Sequence, residues 1–305
     1  MRVVVLGAGQ VGTGLVAALA ARGHEVTVVR RSEAAVPGAR VVAGDARDGA
    51  FLARVAEGAG LVFHCMNPSA YTAEAWEAEF PVMGEAAIAA ATASGAKLVC
   101  LDNLYAYGEA EVRREDTPRR ATGRKGRVRI AWEERLRSAP GLRWVDARAG
   151  DFFGPGAGGQ SLFSAEAVAG IAAGRAPWLV GDPSQVHAFG YVPDVIAGLV
   201  ALGESDETGV WHLPATEVAP AELVARLARA AGREVRPRTL PGWALRAGAW
   251  VVPLFRELDE TRYQWDRPFR VDDTRFRARF PGLATPLDAA VAATLAAVTP
   301  ARAAA

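Results

Sequence analysis

The chain has 305 residues, 35 basic and 34 acidic, for a net charge of +1. That balance excludes a global field that would draw it to nucleic acid or an anionic membrane. Half of the residues are hydrophobic and 23% are charged, a folded composition with no run of ~18 apolar residues to span a bilayer. The length suits one large α/β domain, or one domain with a smaller lobe. The opening MRVVVLGAG reads as a first strand and not as a signal peptide. Cys65 and Cys100 are the two cysteines, both in apolar, strand-like sequence, so neither a disulfide framework nor a zinc site is expected and the setting is a reducing cytoplasm. Of the basic residues only Lys97 and Lys125 are lysine, so each surviving lysine is more informative than usual.

In chain order, the β-branched run at 2–6 predicts a first strand, and Val11, Leu15, Val16 and Leu19 fall at helical spacing over 10–22. Strands follow at 25–29, 39–44, 60–65, 96–101 and 141–148. Between the fourth and fifth lies a segment from 70 to 94 that Pro81 would break, unless it opens a second helix. An amphipathic helix spans about 125 to 138. Strands alternating with helices imply parallel pairing through right-handed crossovers, and continuous apolar strands imply a sheet covered on both faces. The expected fold is α/β, a doubly wound parallel Rossmann sheet over 1–155 that holds the cofactor. A smaller, mostly helical lobe over 156–305 would hold the substrate, with segments around 180–200 returning to the first domain. In the lobe, helices are expected at 161–174, 193–203 and 220–231, with a capping-box-like start at Thr285 and Asp288. The tryptophan-rich stretch at 241–255 reads as lobe core.

GAGQVG places Gly7, Gly9 and Gly12 after a strand and at the start of a helix, with Gln10 and Val11 between them. The first glycine permits the tight turn, the second lets the backbone approach a pyrophosphate, and the third allows close helix–strand packing. At the end of the second strand, where a ribose-binding acid would favour NAD, stand Arg30, Arg31 and Ser32. An arginine can pair with a 2′-phosphate, so NADP, and NADPH over NADH, is expected. Asp45 and Ala46 follow the third strand, at the adenine edge; Asp45 could equally cap the next helix.

With these glycines, the stretches LVFHCMNP, LVCLDNLYAYG, RAGDFFGPG and YVPDV give a chain that resembles the short-chain dehydrogenase/reductase superfamily. The branch is the extended or atypical one, the NAD-dependent epimerase/dehydratase family, and the resemblance spans nearly the whole chain. It implies a Rossmann fold, a nicotinamide dinucleotide and an enzyme. It also exposes departures. The family's catalytic hydroxyl falls at Asn103, and its Tyr-x-x-x-Lys matches Thr122-Gly123-Arg124-Lys125-Gly126, which has no tyrosine. The proton relay must therefore be rebuilt. If 103–107 is extended, Asn103, Tyr105 and Tyr107 share a side. Asn103 would orient a carbonyl, Tyr105 would donate the proton, and Lys125 would hold the nicotinamide ribose or favour the phenolate. Against this, Tyr107 reads as packing, Tyr105 as a half-buried aromatic, and Lys125 as part of the solvated run RRATGRKGRVR.

Further substrate contacts are expected from Asn67, Tyr107, Asp151, Phe152 and Trp243. His24 reads as surface, His64 as a satisfied buried ring, and Asp194 as a helix cap. His187 and His212 have no partners at metal-ligand spacing, so no metal is expected. The function these features imply is an NADP(H)-dependent oxidoreductase for a small carbonyl compound with a hydrophobic or aromatic body. The alternatives are a catalytically silent NADP-binding sensor and a sugar-nucleotide epimerase/dehydratase. The partner is a small molecule, with no nucleic acid and no membrane, and the chain is a monomer or a homodimer.

Overall fold

The computed structural model describes residues 1–240 and 242–299. The chain forms two compact units. One comprises Met1–Gly108, Glu115–Arg148 and Val195–Leu213; the other comprises Glu109–Arg114, Ala149–Asp194 and Pro214–Ala305.

The first unit is built on seven strands: β1 (Arg2–Leu6), β2 (Glu25–Arg30), β3 (Arg40–Ala43), β4 (Leu61–His64), β5 (Lys97–Asp102), β6 (Trp144–Arg148) and β7 (Gly209–His212). Their order is β3-β2-β1-β4-β5-β6-β7, and every pairing is parallel. The short seventh strand, GVWH, had no periodicity to announce it; its edge pairing with β6 defines it. Order reverses between β1 and β4, so this sheet has its switch point there, and a ligand belongs at the carboxyl ends of those strands. The central strands are buried nearly throughout, which is why they read as unbroken runs of Val, Leu and Phe.

The helices that cover this sheet include α1 (Gly12–Ala21), α2 (Gly49–Val55), α3 (Ala73–Ser94) and α4 (Arg124–Ser138), and the helix Val192–Glu204 packs its Gly203 against Phe63. The expected break at Pro81 does not occur, because α3 runs through it as one helix of 22 residues. Pro81 lies on the exposed face, so water can satisfy the carbonyl one turn back, while Trp76, Phe80, Met83 and Ala87 bury the other face. Thr72 caps the start, accepting from the Ala75 N–H, and Gly95, at φ 66°, ends it. α3 and α4 meet where Gly84 lies against the Trp132 ring; a Cβ on Gly84 would come within 2.6 Å of it.

His64 ends β4 inside this core, stacked on Phe80 and edge-on to Trp132. Its Nδ1 accepts from the Met66 N–H, while Nε2 has no hydrogen-bond partner, so the ring is only half satisfied. Burial, helped by the Arg129 charge, pushes its pKa down to about 3. The unfolded ring, at 6.5, takes a proton first on acidification. Stability from His64 is therefore complete above pH 6.5 and is lost as pH falls toward 3, at up to about 1.4 kcal/mol per pH unit. Urea unfolding at pH 7, 6 and 5 should show that slope in wild type and a flatter one in His64→Phe.

The second unit holds a three-stranded sheet of Asp151–Phe153, His187–Tyr191 and Thr216–Val218, packed with helices Ala165–Ala172, Pro220–Ala230 and Leu287–Ala296. Three sequence expectations change here. Thr285 forms no capping box: its N–H and hydroxyl both donate to Asp194, and Asp288 pairs with Arg226. Asp194 thus ties down a distant turn and does not cap its own helix. The stretch from Trp243 to Phe255 is not core, since Trp243 is 70% exposed and Trp250 93% exposed. Pro241, which opens that stretch, lies outside the described residues. Two short helices, Gly242–Gly248 and Pro253–Thr261, turn the inward face over mainly to Leu245, Glu257 and Thr261.

Candidate active site

The glycine turn links β1 to α1. Gly7 has φ 97°, and a Cβ there would press on Met66 and the Cys65 carbonyl. A Cβ on Gly12 would sit 2.0 Å from the Gly7 oxygen, so the turn closes only with glycine at both positions. Gly9 is different: a Cβ there meets nothing within 4 Å. The space beside Gly9 belongs to no protein atom, and it opens at the start of α1, whose first turn carries no acid. Those features fit a dinucleotide pyrophosphate, with Gly9, Gln10, Val11 and Gly12 as the backbone that would hold it.

Arg30 ends β2 and its Nη1 donates to the Ala34 carbonyl at 3.1 Å, shaping the loop that follows. Arg31 and Ser32 are exposed. Asp45 does not cap the next helix, and its side chain is 53% exposed. Arg47 holds both of its oxygens, at 2.8 to 3.1 Å, and that hydrogen bonding draws its carboxyl down to about 2. The cap on α2 is Asp48, which accepts from the Phe51 N–H. Ala46 lies half-buried between them.

The stretch after β5 is a turn, not an extended segment. Asn103 Oδ1 accepts from the Tyr105 N–H at 2.9 Å, and residues Tyr105–Tyr107 form a single 3₁₀ turn. Residues two apart on such a turn point in different directions, so Tyr105 and Tyr107 do not share a side. Tyr107 is fully buried, its hydroxyl 2.7 Å from His212 Nε2, with the Arg119 and Arg148 guanidinium groups over its ring. Burial pushes its phenol up to about 12, and with no exposed surface and its hydroxyl on His212, Tyr107 packs in the core, where no substrate contact is open to it. The Asn103 side-chain carbonyl oxygen is committed to the turn, and Nδ2 is the donor end of the same amide.

Tyr105 is half-buried and stacks on Trp76, with ring centroids 5.8 Å apart. Its hydroxyl lies 2.9 Å from the hydroxyl of Tyr71, which stands edge-on to the same tryptophan. Lys125 Nζ sits 4.6 Å from the Tyr71 ring centroid. Lys125 is completely buried at the start of α4 and is not part of a solvated run. It is brought there by Gly126, whose position a Cβ would drive to 2.9 Å from the Tyr105 carbonyl oxygen. Tyr105 and Lys125, singled out in the sequence, are therefore linked through a residue that was not. Tyr71 comes from the loop before α3, far from both in sequence; the aromatic content of YTAEAWEAEF was its one local signal. An ammonium beside two hydrogen-bonded phenols favours the negative charge left when one of them gives up a proton.

Behind this group lies a buried ionic layer. Arg129, one turn after Lys125, pairs with Asp102 at 3.0 Å, packs over Trp76 and Phe80, and reaches exposed Asn67 at 3.3 Å. Arg148 joins Asp146 and Glu133. Burial would raise the Glu133 carboxyl, but Arg119, Arg148 and Arg137 outweigh it and hold it at about 2. Burial and the charge of Asp102 push Asp146 up to about 7. These pairs fix the carboxyl ends of β5 and β6, from which the Asn103–Tyr107 turn projects.

The remaining sequence candidates have the following surroundings. His24 is only 8% exposed in its side chain and joins Arg22 on Glu204, so it is not a surface ring. Asp151 and half-buried Phe152 belong to the second unit, where Asp151 pairs with His187, and Trp243 is exposed there. Among the described residues no group of three or more His, Cys, Asp or Glu is arranged to hold a metal ion, and no helix is long and apolar enough to cross a membrane.

Solved structures share the fold. A UDP-glucose 4-epimerase from Thermotoga maritima, solved with UDP-glucose, is 18% identical with a TM-score of 0.76, over 97% of this chain and 98% of that one. A UDP-glucose 4-epimerase from Thermus thermophilus, solved with NAD, is 22% identical with a TM-score of 0.73, over 99% and 100%. A dTDP-glucose 4,6-dehydratase from Streptomyces venezuelae, also with NAD, is 20% identical with a TM-score of 0.73, over 97% and 96%. No curated protein sequence matches. The profile of an enzyme family matches residues 3–212, from β1 to the end of β7. The chain thus belongs to the NAD dependent epimerase/dehydratase family.

Proposed function

We propose that this chain is an NADP(H)-dependent oxidoreductase for a small carbonyl compound with a hydrophobic or aromatic body. Its first unit would hold the cofactor. The observation that carries this reading is the hydrogen-bonded pair Tyr71–Tyr105 with Lys125 beside it, at the same carboxyl edge of the sheet as the glycine turn. A bound nicotinamide supplies a hydride to a carbonyl carbon, or takes one back. The protein must then orient the carbonyl and give a proton to its oxygen. Asn103 Nδ2 can donate to that oxygen. The Tyr105 hydroxyl transfers the proton, Tyr71 passes its own to Tyr105, and Lys125 balances the resulting charge. Trp76, Tyr71 and Tyr105 give the site aromatic walls, which suit an apolar substrate body. Both cysteines are free thiols, in keeping with a cytoplasmic setting.

NADPH absorbance against a panel of ketones, quinones and nucleotide sugars tests the reaction. Turnover of apolar ketones or quinones supports it. NADPH binding without turnover of any of them returns the silent-sensor reading. Turnover confined to nucleotide sugars returns the epimerase/dehydratase reading, which the UDP-glucose-bound neighbour favours.

Cofactor choice follows from the end of β2, where two arginines stand and Arg31 is exposed. Charge-assisted hydrogen bonds contribute ~1.5–3 kcal/mol, so one contact with a 2′-phosphate should favour NADPH over NADH by about tenfold or more. Fluorescence titration should show that preference falling in Arg31→Ala. Equal affinities, unchanged in Arg30→Ala and Arg31→Ala, would remove the argument for NADP.

A further inference from the structure

The second unit exposes a cluster of bulky apolar side chains between residues 243 and 254. Trp243 is 70% exposed, Trp250 93%, Val251 83%, Val252 40% and Leu254 52%. Single apolar residues on a surface need no explanation, but a group this dense marks a contact. It occupies the two short helices Gly242–Gly248 and Pro253–Thr261 and the turn that joins them. Trp243, Ala247 and Trp250 recur at helical spacing on the side opposite buried Leu245. The turn is closed by its own chain. Gly248 lies so near the Phe255 ring that a Cβ there would come within 2.5 Å of it. The Ala249 N–H donates to the Leu245 carbonyl, those of Val251 and Val252 to Gly248, and that of Phe255 to Val252. Pro253 has no N–H to satisfy. These positions can therefore leave water without stranding a backbone donor.

Charge sorts the occupants. Between 242 and 256 there is no acidic residue, and Arg246 and Arg256 are both exposed. Glu257, 3.6 Å from Arg256, has a side chain only 3% exposed, and Asp259 pairs with Arg262. The face turned to solvent is thus apolar and positive. A two-fold contact with a second copy would bring two such positive faces together, with no acid on either to meet the arginines. An anionic lipid surface meets both needs, with an acyl boundary for the apolar side chains and phosphates for the guanidinium groups. Tryptophan suits that boundary, since its ring is apolar and its N–H can reach a headgroup or water.

We propose that this tip is a membrane-surface anchor, which seats Trp250, Val251 and Leu254 in the headgroup boundary of a bilayer and sets Arg246 and Arg256 on anionic lipid phosphates. The sequence expectation of no membrane partner rests on net charge and on the lack of a spanning run, and neither bears on a local anchor of this size. The proposal stands apart from the reading of the first unit's site. Sedimentation of the full-length protein with vesicles at low salt tests it, using phosphatidylcholine alone and phosphatidylcholine mixed with phosphatidylglycerol. Wild type should bind the mixed vesicles at least about tenfold more tightly than the neutral ones, and Arg246→Gln should weaken that binding about fivefold, the worth of one cation near an anionic leaflet. The double variant Trp250→Ser, Val251→Ser should lose at least about tenfold in affinity while melting with wild type, because both side chains are exposed. Lipids brominated in the acyl chain should quench tryptophan fluorescence in wild type and not in the double variant. Wild type that stays in solution with both kinds of vesicle, or a double variant that binds and is quenched as wild type is, overturns the proposal. A wild type that ignores vesicles and is dimeric by sedimentation velocity, with a monomeric double variant, overturns it in favour of a second copy.

Discussion

Tyr105→Phe should lower the rate of substrate reduction by ~10²–10⁴-fold while leaving NADPH affinity nearly intact, the range over which a positioned general acid acts. The change removes one oxygen and keeps the ring on Trp76, so the stack that holds the turn survives. Tyr71→Phe should cost less, because Tyr105 keeps its own proton and loses only the partner 2.9 Å away that replenishes it. Lys125→Met removes the buried charge near Tyr71 and should depress turnover even where cofactor binding is saturated. Steady-state rates on the substrate found by the panel, with cofactor affinities measured separately, check all three. Full activity in Tyr105→Phe would place the acid elsewhere. Tyr107 is no substitute, since its hydroxyl is buried on His212 and its pKa is pushed up to about 12.

The second large effect separates folding from binding within one turn. Gly9→Val should fold with a melting temperature close to wild type and lose NADPH binding by at least about tenfold, because an added Cβ meets no protein atom and enters the space beside the helix start. Gly12→Val should be damaged in folding itself, because its Cβ would lie 2.0 Å from the Gly7 oxygen. A close backbone approach of this kind cannot relax by rotating a side chain, so several kcal/mol are at stake. Thermal denaturation and tryptophan-to-NADPH energy transfer read the two properties independently. Gly9→Val that binds NADPH as wild type does would remove the pyrophosphate from this turn.

The sheet was readable because its strands are short β-branched runs buried on both faces, and the turn between β1 and α1 because only glycine fits there. Pro81 misled because a proline rule judges the local backbone, whereas buried Trp76, Phe80 and Met83, spread over about two turns, hold α3 together across it. The tryptophans at 243 and 250 misled because apolar composition does not say which side of a short helix faces inward. In the site, Tyr105 and Lys125 could be proposed from a departure in the expected pattern. Their geometry could not, since Asn103 bends the chain and turns Tyr107 away. Tyr71 was invisible for a simpler reason: its meeting with Tyr105 joins loops 34 residues apart. The His187–Asp151 pair is likewise a product of strand pairing, with Phe189 beside Asp151 in register, and no spacing rule announces it.

A crystal structure of the full-length protein with NADPH tests the account most directly. It should place the pyrophosphate against the Gly9 backbone at the start of α1, with the nicotinamide close enough to Tyr105 for its hydroxyl and a hydride to reach the same carbonyl. A pyrophosphate bound away from Gly9, or a nicotinamide that leaves the Tyr105 hydroxyl out of reach of any substrate beside it, would contradict it.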